Sequence, residues 1–201
     1  MLEMILMQKN ATHPKKHGLL LLPILILMLT SLNLSVAHAT GMATYWTGAA
    51  GDGKWETAAN WAFGQVPGVN DLVSISNPVT VSLSSPTQIS ALLLQTRAVL
   101  NCNVGCSLSS GITNYGTVNN YGFINDVQGG SIENVGGTIN NYGTIVNDHT
   151  STNSGTIINN YGGMINISAG MTNSGVITNK CGGNILGSGN VSGTSINRLK
   201  C

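Results

Sequence analysis

Asn114-Tyr-Gly-Thr-Val118, Asn120-Tyr-Gly-Phe-Ile124 and Asn141-Tyr-Gly-Thr-Ile145 are three copies of one phrase. It reads Asn, any residue, Gly, one more residue, then Ile or Val, and it recurs from Asn114 to Ser192. Asn153-Ser-Gly-Thr-Ile157 and Asn173-Ser-Gly-Val-Ile177 are further single-glycine copies. Asn134-Val-Gly-Gly-Thr-Ile139 and Asn160-Tyr-Gly-Gly-Met-Ile165 carry a second glycine, and Lys180-Cys-Gly-Gly-Asn-Ile185 is a looser copy that has lost its Asn. A repeat of this kind overrides local propensity. The phrases group at a longer period: Thr152-Asn-Ser-Gly returns 20 residues on at Thr172, and Asn119-Asn-Tyr-Gly returns at Asn140 and again at Asn159. One turn is therefore about 20 residues, or three phrases. The third phrase is degenerate, Val127-Gln-Gly-Gly-Ser-Ile132 in one turn and Asn147-Asp-His-Thr150 in the next.

Three short strand-like segments per turn predict an all-β fold, a three-faced parallel β-helix. Each phrase supplies a β-branched residue for a strand and an Asn-Gly pair for a corner. A single coil cannot bury its narrow interior, whereas stacked coils can, at a strand separation of ~4.8 Å. The predicted anchors are Val118, Ile124, Ile139, Ile145, Ile157, Ile165, Ile177 and Ile185. Tyr121, Tyr142 and Tyr161 are expected to form a column that Cys181 continues, beside an amide ladder of Asn120, Asn141 and Asn160. Corner glycines are expected to take positive φ. A low-complexity disordered tract is the alternative for an Asn-, Gly- and Ser-rich segment, but the periodic Ile and Val positions argue against it.

Residues 1–39 read as a secretory signal: Lys9, Lys15 and Lys16 precede an apolar run from Leu19 to Leu29, and Ala37-His-Ala39 is a small-x-small cleavage site. The run is short for a spanning helix. The rest divides into a cap at 40–70, the β-helix at 71–192 and a tail at 193–201, with no membrane span expected after cleavage. Beyond residue 39 the bases are Lys54, Arg97, Lys180, Arg198 and Lys200, against Asp52, Glu56, Asp71, Asp126, Glu133 and Asp148. A nucleic-acid surface needs clustered cations, and this near-neutral balance argues against one. From Asp71 to Ile112 the strands are less regular and more apolar, as in Val79-Thr-Val81-Ser-Leu83, and read as the first coils.

Trp46, Trp55 and Trp61 all lie upstream of the repeat. A solenoid's first coil has a bare apolar end, so a cap is a physical requirement that bulky aromatics suit. The rival reading is a carbohydrate platform, with sugar rings stacked on the indoles. Trp46-x-Gly48, Trp55, Asn60-Trp61, Pro67 and Asp71-x-Val73-x-Ile75 resemble the opening segment of bacterial surface β-helix proteins of the autotransporter-passenger-like and adhesin-like kind. The downstream Asn-x-Gly-x-Ile repeats are similar to theirs too. The resemblance implies a right-handed parallel β-helix at a cell surface.

Four cysteines follow the signal: Cys102, Cys106, Cys181 and Cys201. An even count in an exported chain suggests disulfides, with three possible connectivities. Nearness favours Cys102–Cys106 and Cys181–Cys201, and free buried thiols are the alternative. The spacing is not that of a zinc site, and His149 is the single histidine after residue 39. No metal or cofactor is expected. Asp148-His149 reads as a solvated corner rather than a catalytic pair. Asp126, Glu133 and Asp148 are the acidic candidates for glycan cleavage, since Asp126 and Asp148 lie about one coil apart.

These features lead to an exported, non-catalytic β-helix acting as a structural or adhesive surface that contacts glycans or proteins. The enzymatic rival is a polysaccharide lyase or hydrolase using the three acids. A third reading is a face that binds ice or a crystalline polymer, for which no strict Thr-x-Thr column is evident in the sequence. End-to-end self-association through the last coil is a further expectation.

Overall fold

The computed structural model describes residues 41–76, 78–126 and 129–201. The signal-peptide reading of residues 1–39 and the positions 127–128 of the degenerate phrase lie outside them. The described chain winds as a parallel β-solenoid with three faces. The first face is a seven-stranded sheet built from Thr80–Leu83, Val99–Cys102, Thr117–Asn120, Thr138–Asn141, Thr156–Asn159, Val176–Asn179 and Asn197–Arg198. The second and third faces are joined at their N-terminal end, because Pro86–Leu94 and Ser107–Asn114 each run through the corner between them. From the next coil on, the corner opens. Phe123–Asn125 and Ile132–Asn134 become separate strands on the two faces.

Every pairing between coils is parallel, and like residues stack. On the first face Val81, Leu100, Val118, Ile139, Ile157 and Ile177 form one inward column. Leu108, Ile124, Ile145, Ile165 and Ile185 form the second, and Val73, Leu92, Ile112, Ile132, Ser151 and Met171 the third. All eight predicted anchors point inward. Seven are buried, while Ile185, in the last full coil, is only partly covered. β-branched side chains suit this role because a stiff χ1 packs against an identical neighbour one rung away.

The corners change character along the chain. Early corners are apolar: Ile75 over Leu94, and Leu83 over Cys102. Later ones are amides buried in two ladders. Asn114, Asn134, Asn153 and Asn173 are joined Nδ2 to Oδ1 at 2.8, 2.8 and 2.7 Å. Asn120, Asn141, Asn159 and Asn179 are joined the same way at 2.8, 2.8 and 2.7 Å. The second ladder corrects the expectation of Asn160. The doubled glycine after Tyr161 adds a residue, so Asn160 occupies the place held by Tyr142 one coil earlier. Its N–H donates to the Asn141 carbonyl as that of Tyr142 donates to Asn120. The tyrosine column is corrected with it. Tyr121 and Tyr142 stack with ring centroids 4.8 Å apart and planes 9° from parallel. Tyr161 is pushed out of line to 81% exposure, and Cys181 is engaged elsewhere.

The role of glycine also differs from expectation. Gly143 does not take positive φ. It is needed because a Cβ there would lie 2.1 Å from the Gly122 carbonyl oxygen of the preceding coil. Positive φ belongs to the first glycine of each doubled pair, as at Gly162, where φ is 77° and nothing crowds the Cβ position.

The N-terminal segment is part of the solenoid edge. Ala43–Tyr45 pairs with Leu72–Ile75 on the third face, and Lys54 bridges to Ser82 on the first. At the other end the expected tail carries Asn197–Arg198, which pairs with Val176–Asn179 and extends the first face. The Cys181–Cys201 disulfide closes that end, and Cys102–Cys106 lies at the corner between the first and second faces.

Candidate functional site

The tryptophans are the first group to place. All three are buried, at 5%, 0% and 2% exposure for Trp46, Trp55 and Trp61. Trp61 meets Trp46 edge-to-face at 5.0 Å and Trp55 at 4.6 Å. Its Nε1–H donates to the Trp55 carbonyl at 2.6 Å. Ring faces covered by one another cannot stack on a sugar, so the platform alternative gives way to packing over the first coil. Hydrogen bonds to carboxylates hold this layer in place. Asp52 accepts from the Thr57 hydroxyl at 2.6 Å, the Asn60 amide at 2.6 Å and the Lys54 N–H at 3.0 Å. The Thr57 bond, with those of Lys54 and Asn60, lowers the Asp52 pKa to about 2. Glu56 reaches the Ser84 and Ser85 N–H groups at 2.7 and 3.0 Å, and Asp71 receives the N–H groups of Met42 and Gly68 at 2.9 and 2.7 Å.

The acidic trio does not assemble as a catalytic group. Asp126 is fully buried, and its carboxylate accepts the backbone N–H groups of Asp148 and His149 at 2.6 and 3.2 Å. It spans two coils and supports the turn above it. Burial is the main influence on its carboxyl and raises its pKa, against the hydrogen bonds from Asp148 and His149. The Asp148-His149 corner is open to solvent as expected, with the His149 side chain 39% exposed, but the ring is also tied to the coil below. Its Nε2 accepts the Gly129 N–H at 3.2 Å, which assigns the proton of the neutral ring to Nδ1, 2.7 Å from the Asp126 carbonyl oxygen. Asp148 is exposed, and Glu133 accepts from the Ser131 hydroxyl at 3.3 Å. Among the described residues no three His, Cys, Asp or Glu side chains converge as metal ligands. Glu133 instead edges a shallow polar groove of about 300 Å³ with Ser90, Thr113 and Ser131.

The outward side of the first face is more ordered than the sequence suggested. Thr117, Thr138 and Thr156 fall in one column. Asn101, Asn119 and Asn140 fall in the next, and their amides are linked in series at 2.9 Å. The two columns are offset by one coil: Thr-x-Asn occurs at Thr117–Asn119 and Thr138–Asn140, while Val99 stands beside Asn101 and Ile158 beside Thr156. This arrangement is hard to see in sequence because the coils differ in length: the amide partners lie 18 and 21 residues apart.

No family model, curated protein or solved structure matches this chain.

Proposed function

We propose that this chain is an exported, non-catalytic solenoid whose first face contacts glycans or other proteins. The observation that carries the reading is the double row on that face. A column of Thr117, Thr138 and Thr156 hydroxyls overlaps a column of Asn101, Asn119 and Asn140 amides through the two coils at Thr117–Asn119 and Thr138–Asn140. Hydroxyl and amide groups repeated at ~4.8 Å suit a partner that is itself a repeating polar polymer. Export is supported by the composition of residues 1–39 and by the two disulfides, which persist in oxidising compartments. The resemblance of the Trp46 to Ile75 segment to bacterial surface β-helix proteins supports a place at the cell surface.

Glycan-array binding by the secreted form, with triple substitution of Thr117, Thr138 and Thr156 to Val, tests the face. Valine preserves strand propensity and shape while removing the hydroxyls. Binding lost with an unchanged circular dichroism spectrum supports the reading; binding unaffected by the triple change removes the first face from it. The same rows favour a second reading, adsorption to a crystalline surface such as ice, because their spacing is regular in two directions. A thermal-hysteresis measurement on the same pair of proteins decides that one.

A further inference from the structure

We infer a binding subsite for an anionic polysaccharide at the corner between the first and second faces, near the C-terminal end. It rests on the glycan reading above but uses different residues. A groove of about 440 Å³ opens there, lined by Tyr142, Tyr161, Lys180, Leu199 and Lys200 beside Cys181. That size lies within the ordinary range for small-ligand clefts.

The groove is built by the features that break the repeat. The doubled glycine at Gly162-Gly163 ejects Tyr161 from the tyrosine column. Its ring then lies over Gly182, where a Cβ would come within 2.3 Å of the ring carbon Cδ2. Gly182 therefore leaves the space that the ring occupies. The opposite wall is the terminal segment. Leu199 donates its N–H to the Asn179 carbonyl at 2.9 Å, and the Cys181–Cys201 disulfide ties that segment across the corner.

Charge selects the ligand class. From His149 to Cys201 there is no Asp or Glu, and Lys180, Arg198 and Lys200 are three of the five Lys and Arg residues beyond residue 39. Two of them reach this one groove. A pyranose ring offers an apolar face to a tyrosine ring, and a ring carboxylate or sulfate is held by lysine through charge-assisted hydrogen bonds. Tyr142, 43% exposed, and Tyr161, 81% exposed, present aromatic surface that the fold does not cover. A neutral sugar would leave the lysines without partners. A bare inorganic anion would leave the tyrosines uncovered.

The test is affinity electrophoresis of the secreted, disulfide-bonded protein in gels containing sodium polygalacturonate, dextran sulfate or unsubstituted dextran. Retardation is expected with at least one anionic polymer and not with dextran, weakening as salt is added. The double change Lys180→Ala with Lys200→Ala should lower affinity at least tenfold, and Tyr161→Ala about fivefold. Lys54→Ala with Arg97→Ala, which removes equal charge elsewhere, should leave it within twofold. All these side chains are exposed, so thermal midpoints should not move. Three results overturn the subsite: no retardation by either anionic polymer, equal loss in the two double variants, or retention in both the Lys180/Lys200 and Tyr161 variants. The Thr-to-Val triple variant keeps the two proposals apart. If it alone loses glycan binding, the first face stands and this groove falls; if it binds anionic polymer normally while the groove variants do not, the reverse holds.

Discussion

At the residue scale, the later coils depend on buried asparagines. Asn141 accepts from Asn120 and donates to Asn159, Gly143 and Met164, all while fully buried. Removing it strands polar groups in the interior of the coil stack, and each buried unsatisfied group costs ~1–3 kcal/mol. Asn141→Ala should therefore destabilise by about 2 kcal/mol or more in urea unfolding. Asn119→Ala, in the half-exposed outer ladder, should cost under about 1 kcal/mol because water replaces its partners. Glycine positions divide the same way. Gly143→Ala drives a methyl group into the Gly122 carbonyl and should cost more than the ~1–2 kcal/mol of left-handed backbone strain expected for Gly162→Ala. The same denaturation assay ranks the two, and a reversed order removes close approach as the reason for the single-glycine corners.

At the scale of elements, the N-terminal layer is an assembly of tryptophans pinned by carboxylates. The contacts to Asp52 lower its pKa to about 2. A carboxylate with a depressed folded-state pKa stabilises above its unfolded value, and that contribution is lost as pH falls through about 2. The thermal midpoint of the wild type should thus fall more steeply than that of Asp52→Asn between pH 4 and 2. Asp126 acts in the opposite sense: burial raises its pKa, so protonation on acidification relieves a cost. It is present in both proteins, and their difference isolates Asp52. Parallel slopes would mean that the Thr57, Lys54 and Asn60 contacts do not hold this segment in solution. Much of this element is legible in the sequence. Three clustered tryptophans before a repeat announce a cap, because an exposed coil end must be covered. That Asp52, Glu56 and Asp71 anchor it is not legible, since their partners are mostly backbone N–H groups placed only when the first coil forms.

At the scale of the molecule, the two ends of the coil stack differ. Aromatic side chains close the first coil, whereas Ile185, Val191 and Ile196 at the last remain partly exposed. Nearest-neighbour stacking means that each coil is held by those on either side, so the last one has support from one side only. Its disulfide offsets this. A closed loop of 20 residues between Cys181 and Cys201 contributes about 3 kcal/mol by restricting the unfolded chain. Replacing both cysteines with Ser should collapse hydrogen-exchange protection in residues 184–198 while the coils around Leu92 and Leu108 keep theirs. Uniform loss along the whole chain would instead indicate a single cooperative unit.

The sequence by itself determined the solenoid, its period and its inward aliphatic columns, and it favoured two cysteine pairs that only the folded chain settled. A β-branched residue recurring between Asn-Gly corners has one compact solution, in which like stacks on like. Only the tertiary structure decided which asparagines align, that Tyr161 is expelled, that Asp126 is buried beneath His149, and that Thr and Asn form rows on one face. Coils of unequal length can absorb their extra residues at any corner, and the choice is made by backbone pairing between coils, with partners 18 to 21 residues apart.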